Sequence, residues 1–168
     1  RAPFEQIRRA WKVVSKDQFP ITPAERARTH IAYLNALNEY LEKRGLWGEY
    51  RGWIERGVEA ARVLEDNALL GGLLNDLGLC YRQLGQPDIA KKYFEKSLEM
   101  RHQFGPKAGE AVTLNNLGLV SDDLGERRQA ISFFEQALHL RRQIGDHRGE
   151  ALTLHNLATA YEGLGEWQ

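Results

Sequence analysis

The chain has 168 residues, and its 23 basic and 23 acidic side chains cancel to give no net charge at pH 7. This balance argues against a strongly basic nucleic-acid-binding surface, and no apolar run approaches the roughly 20 residues that a membrane-spanning helix needs. A single cysteine, Cys80, excludes an internal disulfide and is typical of a reducing compartment, so we expect a cytoplasmic protein.

The first 19 residues do not match the pattern of the rest of the chain. Their apolar positions suggest one amphipathic helix, and the loop DQFPITP follows at residues 17–23. A capping box predicts the start of the next helix, because Thr22 and Glu25 can each bond the other's backbone amide and Pro23 occupies the first helical position.

From residue 23 onward, the sequence repeats itself at intervals of 40 residues. The segments YLNALNEY, LLNDLGLC, TLNNLGLV and TLHNLATA begin at residues 33, 73, 113 and 153. A fixed period of this length is typical of an array of supersecondary units. Within each unit, two leucines recur three residues apart, which places them on one face of a helix.

Each unit has the pattern of two helices separated by a turn. The apolar spacing predicts helices over 23–44, 47–64, 67–84, 87–104, 107–124, 127–144 and 147–164, and it predicts no strand. A recurring glycine such as Gly85 ends the first helix of a unit, since glycine commonly follows a helix C-terminus. Gly78 and Gly118 lie inside helices on the core face, which predicts a close helix crossing with no room for a side chain.

The small and large landmark positions of these units resemble the tetratricopeptide repeat (TPR). The matching residues are Leu77, Gly78, Tyr81, Ala90, Phe94 and Leu98 in one unit, and Leu117, Gly118, Ala130, Phe134, Ala137 and Leu138 in the next. The resemblance covers residues 66–168 well and 26–65 less well, where Asn38, Tyr50 and Gly57 depart from it. The usual unit has roughly 34 residues. The 40-residue form resembles the sensor arrays of bacterial signal-transduction ATPases with numerous domains (STAND proteins), the eukaryotic adaptors that orient spindles, and the kinesin light chains.

The resemblance implies an all-α fold, a right-handed superhelical solenoid of antiparallel helix hairpins. The expected parts are an N-terminal helix and linker (1–19), a degenerate first repeat (23–65), a second repeat (66–105), a third repeat (106–145) and the first helix of a fourth repeat (146–168). The last helix lacks a partner helix, so we expect its apolar face to meet solvent; this face comprises Leu154, Leu157, Tyr161 and Leu164. We therefore expect either a segment of a longer array or an end that another molecule covers, for example by self-association.

The sequence contains no recognisable catalytic or metal-binding motif. It has no GxxxxGK[ST] phosphate loop and no HExxH metal site, and the lone Cys80, whose counterparts are Val120 and Ala160, is expected to fill the core. The pairs at 122–123, 127–128 and 141–142 mix with charges of opposite sign, which is typical of a solvated, salt-bridged helix face. We expect no enzyme activity, no cofactor, no metal, and neither a nucleic-acid nor a membrane partner.

Four ladders of equivalent residues run along the first helices of the units, opposite their core face. The ladders are Asn35, Asn75, Asn115, His155; Ala36, Asp76, Asn116, Asn156; Glu39, Leu79, Leu119, Thr159; and Ala32, Gly72, Val112, Leu152. A face that met only water would be rich in Lys and Glu. In the TPR family these helices line a concave groove that holds peptides. The resemblance therefore implies contacts from Asn35, Asn75, Leu79, Arg82, Asn115, Asn116, Leu119, Asp122, His155 and Asn156.

Two interpretations of the asparagines remain open at this point. Each amide offers a donor and an acceptor, so it can pair with the backbone of a ligand. Alternatively, the amides bridge neighbouring helices and only stabilise the superhelix, a role that suits the ladder of Asn116 better than the ladder of Asn115. The groove has no concentrated positive charge, which argues against a basic clamp for acidic C-terminal peptides.

The sequence thus predicts a non-catalytic protein-protein interaction array that binds a peptide or protein partner along its concave face. The resemblance implies the sensor or scaffold segment of a multidomain bacterial signalling protein. Two alternatives stay open: a structural spacer whose ends mediate self-assembly, and a regulatory segment of an enzyme whose catalytic domain lies outside this chain.

Overall fold

The structure, a computed structural model, describes residues 22–164, apart from the side chains of residues 38–42. This part of the chain forms seven helices and no strand. The helices are α1 (Pro23–Lys43), α2 (Trp47–Val63), α3 (Asn67–Gln83), α4 (Pro87–Phe104), α5 (Lys107–Asp123), α6 (Arg127–Ile144) and α7 (His147–Leu164). All seven predicted helices are confirmed, each within one residue of its predicted ends. The helix predicted for residues 1–19 lies outside the described residues.

Local side chains determine where several helices begin. Thr22 and Glu25 form the predicted capping box: the Glu25 amide donates to Thr22 Oγ1 over 3.2 Å, and the Thr22 amide donates to Glu25 Oε2 over 2.7 Å. Asp66 accepts a hydrogen bond from the Leu69 amide at the start of α3, and Asp146 caps α7 in the same way. These caps satisfy amides that have no partner inside the helix.

The two helices of a hairpin cross closely at a glycine, as the sequence predicts. A Cβ atom on Gly78 of α3 would lie 2.5 Å from a ring carbon of Phe94 on α4. Gly118 of α5 meets Phe134 of α6 in the same way. Both rings are almost completely buried, so the bulky residue of one helix fills the space that the glycine of the other leaves open.

The helices form a one-dimensional stack in which each contacts the next along the chain. In addition, α3 contacts α5, and α5 contacts α7. Within residues 22–164, the helices α2, α4 and α6 make no comparable contact with one another. Because α3, α5 and α7 approach one another more closely than α2, α4 and α6 do, the array curves with the former on its concave side. We call α1, α3, α5 and α7 the inner helices, and α2, α4 and α6 the outer helices.

The largest cluster of buried apolar residues lies among α1, α2 and α3, and includes the fully buried Cys80. Two smaller clusters surround Phe94 and Phe134. Of the four residues expected to meet solvent on α7, only Leu154 is exposed, at 41%. The other three pack, partly buried, against the cluster around Phe134. None of the seven helices combines the length and apolar character needed to span a bilayer.

Candidate concave binding surface

Helical geometry identifies the residues that line the concave side of the inner helices. Gly78 touches Phe94 and so marks the direction of the outer helix. Side chains that lie about 100–160° from Gly78, measured around the axis of α3, point away from the outer helices. We define the concave surface by these residues and their equivalents on α5 and α7: Gly72, Asp76, Leu79, Val112, Asn116, Leu119, Leu152, Asn156 and Thr159.

Apolar side chains form a stripe on this surface. Val112 is 40% exposed and Leu152 is 52% exposed, on neighbouring inner helices. Leu79 and Leu119 also belong to the concave surface and pack, partly buried, against the core. The family resemblance implies contacts from the two partly buried leucines, Leu79 and Leu119, but not from the two exposed residues. Val112 and Leu152 occupy equivalent positions 40 residues apart, and this recurrence is the signal in the sequence that could have identified them.

Asparagines join the inner helices through hydrogen bonds that are buried or partly buried. Between α3 and α5, Asn75 Oδ1 accepts from Asn116 Nδ2 over 2.9 Å and from Thr113 Oγ1 over 3.3 Å. Between α5 and α7, Asn115 Oδ1 accepts from Asn156 Nδ2 over 3.1 Å, and from the hydroxyl of a threonine over 3.3 Å. We call these two arrangements the asparagine links. The adjacent asparagines at 115 and 116 therefore belong to different links, one to the next inner helix and one to the previous inner helix.

The asparagine links determine where the predicted contact residues lie. Asn75 and Asn115 are 3% and 4% exposed, and their amide oxygens are engaged between helices. The bridging role therefore applies to the ladder of Asn116 and also to Asn75 and Asn115, for which the sequence left both interpretations open. Asn116 is also buried, at 8% exposed, whereas Asn156 is only partly buried.

Asn35 and His155 occupy the same ladder position as Asn75, but both are exposed. On the neighbouring α3, Leu73 and Asp76 occupy the positions that Thr113 and Asn116 occupy on α5. A leucine has no hydroxyl, and an ionised carboxylate cannot donate a hydrogen bond, so these residues cannot form an asparagine link with α1. Consistent with this, α1 and α3 do not share the contact that α3 and α5 make within the described residues.

The predicted charged contact residues form ion pairs at the ends of the inner helices. Arg82 Nε donates to Asp123 Oδ2 over 2.5 Å, which connects α3 with α5. Asp122 lies 3.8 Å from Arg127 Nε. All four side chains are more than a quarter exposed, so each pair contributes little stability.

Two arginines from the outer helices reach the boundaries between inner helices. Arg141 is only 4% exposed, and its Nη1 donates to the backbone oxygen of Gly149. Burial lowers the pKa of the Arg141 guanidinium, and the nearby Asp146 opposes this shift. The prediction of a solvated face is therefore wrong for Arg141. Its counterpart 40 residues earlier, Arg101, is partly buried; burial also lowers its pKa.

The convex side carries two equivalent depressions between outer helices. One of about 380 Å³ lies between α2 and α4, and the other, of about 410 Å³, lies between α4 and α6. Their floors consist of Leu74, Leu77, Leu114 and Leu117. These leucines are no more than 7% exposed, so they offer a ligand less apolar surface than Val112 and Leu152 do. Across residues 22–164, no group of His, Cys, Asp and Glu is arranged to hold a metal ion.

A family model described as tetratricopeptide repeat matches residues 69–143 and 109–168, which together make up more than half of the chain. The chain belongs to the tetratricopeptide repeat family. A search of curated proteins found no match to the sequence. TPR units are generally non-catalytic modules that bind other proteins, so the chain is a protein-interaction repeat array.

Solved structures share the fold of this TPR array. BtubC (BKLC) from P. vanneervenii has a TM-score of 0.76 at 19% identity, covering 98% of this chain and 65% of that chain. The apo form of RapI has a TM-score of 0.81 at 17% identity, covering 98% of this chain and 57% of that chain. A STAND protein with a tetratricopeptide repeat sensor, from Pyrococcus horikoshii, has a TM-score of 0.60 at 16% identity, covering 92% and 30%. The TPR array thus spans less than two thirds of each of these chains.

Proposed function

We propose that the TPR array binds a peptide, or an extended segment of a partner protein, along its concave surface. The observation that carries this proposal is the pair of exposed side chains Val112 and Leu152 on neighbouring inner helices. An exposed apolar pair within a surface of small and polar residues offers an anchor for an apolar side chain of a ligand. Exposed polar side chains, Thr159 and His155 on α7 and Asn35 on α1, can add hydrogen bonds to such a ligand.

The asparagine links favour a surface that is formed before the ligand arrives. They fix the distance between α3 and α5 and between α5 and α7. A preformed surface binds more tightly because less conformational entropy is lost on binding. A ligand that contacts several inner helices at once would bias the curvature of the array or its contacts with a neighbouring module.

We further propose that the array is a sensor or scaffold segment of a multidomain cytoplasmic signalling protein. The STAND protein of P. horikoshii, which carries a tetratricopeptide repeat sensor and has the same fold, supports this context. The single, fully buried cysteine is typical of a reducing compartment.

Selection of peptides from a displayed library of random 12-residue sequences tests the proposed function. The affinity of each selected peptide is then measured by fluorescence anisotropy with the chain and with its Val112→Lys and Leu152→Lys variants. We expect the affinity to fall about tenfold or more, since a lysine replaces the apolar contact with a charge that resists desolvation. Both positions are exposed, so the fold should be retained, which far-UV circular dichroism checks.

Val63→Lys is the matched control, because Val63 is 53% exposed but lies at the end of the outer helix α2. Its affinity for the selected peptides should equal that of the unmodified chain. Peptides that bind all three variants equally would place the binding site elsewhere. Failure to select any peptide would favour the alternative of a structural spacer.

A further inference from the structure

Arg101 extends from the outer helix α4 through the boundary between the inner helices α3 and α5. Its Cγ lies 3.0 Å from the position that a Cβ atom on Gly71 would take. Its Cζ lies 3.1 Å from the position that a Cβ atom on Gly109 would take. A Cβ atom at either glycine would make a tight contact with the arginine, so the two glycines together leave a passage with room for its side chain.

The passage ends at the concave surface. Arg101 Nη2 lies 3.8 Å from the position that a Cβ atom on Gly72 would take, and Gly72 is a concave residue. Asp76, also on the concave surface, is near enough to favour the charged form of Arg101. The exposed Val112 occupies on α5 the ladder position that Gly72 occupies on α3. The guanidinium therefore reaches the same part of the concave surface as the apolar anchor.

The hydrogen-bonding capacity of this guanidinium is not used within the described part of the chain. A guanidinium has five N–H donors, yet the Arg101 side chain donates no hydrogen bond to any residue of 22–164. Its counterpart Arg141 differs, because it is buried and donates to the backbone oxygen of Gly149. The two equivalent arginines thus differ in role: Arg141 binds the protein itself, whereas Arg101 presents its donors to the groove.

From this arrangement we infer that Arg101 binds a carboxylate of the ligand. The preferred ligand is a segment in which one acidic side chain lies close to the apolar side chain that covers Val112. The planar fork of a guanidinium matches the two oxygens of a carboxylate, and partial removal from water strengthens such a charge-assisted pair. Arg101 supplies one guanidinium at this place and Asp76 lies beside it, so the site suits a single acidic residue rather than an acidic tail. This inference rests on the proposed function, because it concerns a ligand of the same surface.

The peptides selected above supply the probe. Each Asp or Glu of a selected peptide is replaced by Asn or Gln, and both forms are titrated against the chain and against its Arg101→Met variant. Methionine keeps an unbranched stem in the passage but removes all donors. We expect the change from acid to amide to weaken binding to the unmodified chain about tenfold or more, and to leave binding to the Arg101→Met variant unchanged.

Two further variants sharpen this test. Arg101→Lys keeps the charge but loses the fork, so it should show an intermediate preference for the acid. Arg128→Met removes an exposed arginine of the outer helix α6 and should leave the full preference intact. Should the Arg101→Met variant fail to fold, the Nε–H resonance of Arg101 in the unmodified chain serves instead: the acidic peptide should shift it and the amide form should not.

The outcomes separate this inference from the proposed function. If binding depends on Val112 and Leu152 but the acid and amide forms bind equally, only the role of Arg101 is overturned. The same holds if a preference for the acid appears only after Asp76→Asn, because Arg101 would then pair with Asp76 in solution. If no peptide depends on Val112 or Leu152, the proposed function itself fails.

Discussion

At the scale of single residues, Gly118 shows how one missing side chain sets the distance between two helices. A Cβ atom at this position would lie 2.6 Å from Cδ1 of Phe134 and 2.8 Å from its Cζ. The Phe134 ring is 1% exposed and cannot move away without opening the core. We expect Gly118→Ala to lower the free energy of unfolding by about 2 kcal/mol, although alanine is the better helix former by about 1 kcal/mol. Urea unfolding followed by circular dichroism measures the change.

Gly52 provides the matched control for this prediction. It also lies inside a helix, α2, but a Cβ atom there would meet no other atom within 4 Å. Gly52→Ala should therefore raise the free energy of unfolding by about 0.5–1 kcal/mol, through helix propensity alone. If the alanines at 118 and 52 stabilised the chain equally, the close crossing would not exist in solution.

The repeat pattern was sufficient to predict the glycine crossings but not the role of the arginines. Gly78 and Gly118 recur on the apolar face of their own helices, so a single helix contains the signal. Arg101 and Arg141 lie in the outer helices α4 and α6, and the room for each side chain depends on glycines in other helices: Gly71 and Gly109 for Arg101, and Gly149 for Arg141. No spacing along one helix reveals such a passage, and a charged residue among others of both signs is usually solvated.

At the scale of secondary-structure elements, the asparagine link between α3 and α5 makes a measurable contribution to stability. Asn75→Ala would leave the buried donor of Asn116 without its acceptor, whereas the Thr113 hydroxyl also lies 3.2 Å from the hydroxyl of Ser97. Since a buried donor without a partner costs about 1–3 kcal/mol, we expect the free energy of unfolding to fall by about 1–3 kcal/mol. Asn35→Ala, at the exposed counterpart on α1, should change it by less than about 0.5 kcal/mol. Urea unfolding of both variants checks the difference.

An equal effect of the two substitutions would show that the link contributes nothing specific to the packing of inner helices. Because Asn75→Ala weakens the fold, a loss of ligand binding in that variant would not identify Asn75 as a contact residue. The exposed Val112 and Leu152 are the informative positions.

The sequence predicted the helices and the ladders, but it could not determine which asparagine faces the groove. Asn115 and Asn116 are adjacent, so they lie about 100° apart on one helix, and both lie near the border between groove and neighbouring helix. Alignment at 40 residues pairs Asn75 with Asn115, whereas the hydrogen bond joins Asn75 to Asn116. The stagger between inner helices produces this shift by one residue, and it is a property of the packed helices rather than of either one alone.

At the scale of the whole molecule, two different kinds of contact hold the stack together. The first three helices share the largest apolar cluster, which includes the buried Trp53. From α3 onward, smaller apolar clusters are supplemented by the asparagine links. In a stack of this kind each unit is stabilised mainly by its immediate neighbours. The cooperativity of unfolding therefore depends on the contact between the cluster of α1, α2 and α3 and the region from α5 to α7. That contact includes the link between Asn75 and Asn116.

Two optical probes can measure this coupling. When Trp11 and Trp167 are replaced by phenylalanine, Trp47 and Trp53 report on the cluster of α1, α2 and α3, while circular dichroism averages over all helices. We expect the two probes to give the same urea midpoint in this background, as a two-state transition requires. After Asn75→Ala, the region from α5 to α7 loses support from the larger apolar cluster. The circular dichroism midpoint should then fall below the fluorescence midpoint, whereas Asn35→Ala should keep the two together. If Asn75→Ala moved both midpoints equally, the stack would unfold as one block, and its cooperativity would depend on the apolar contacts of α4 rather than on the asparagine link.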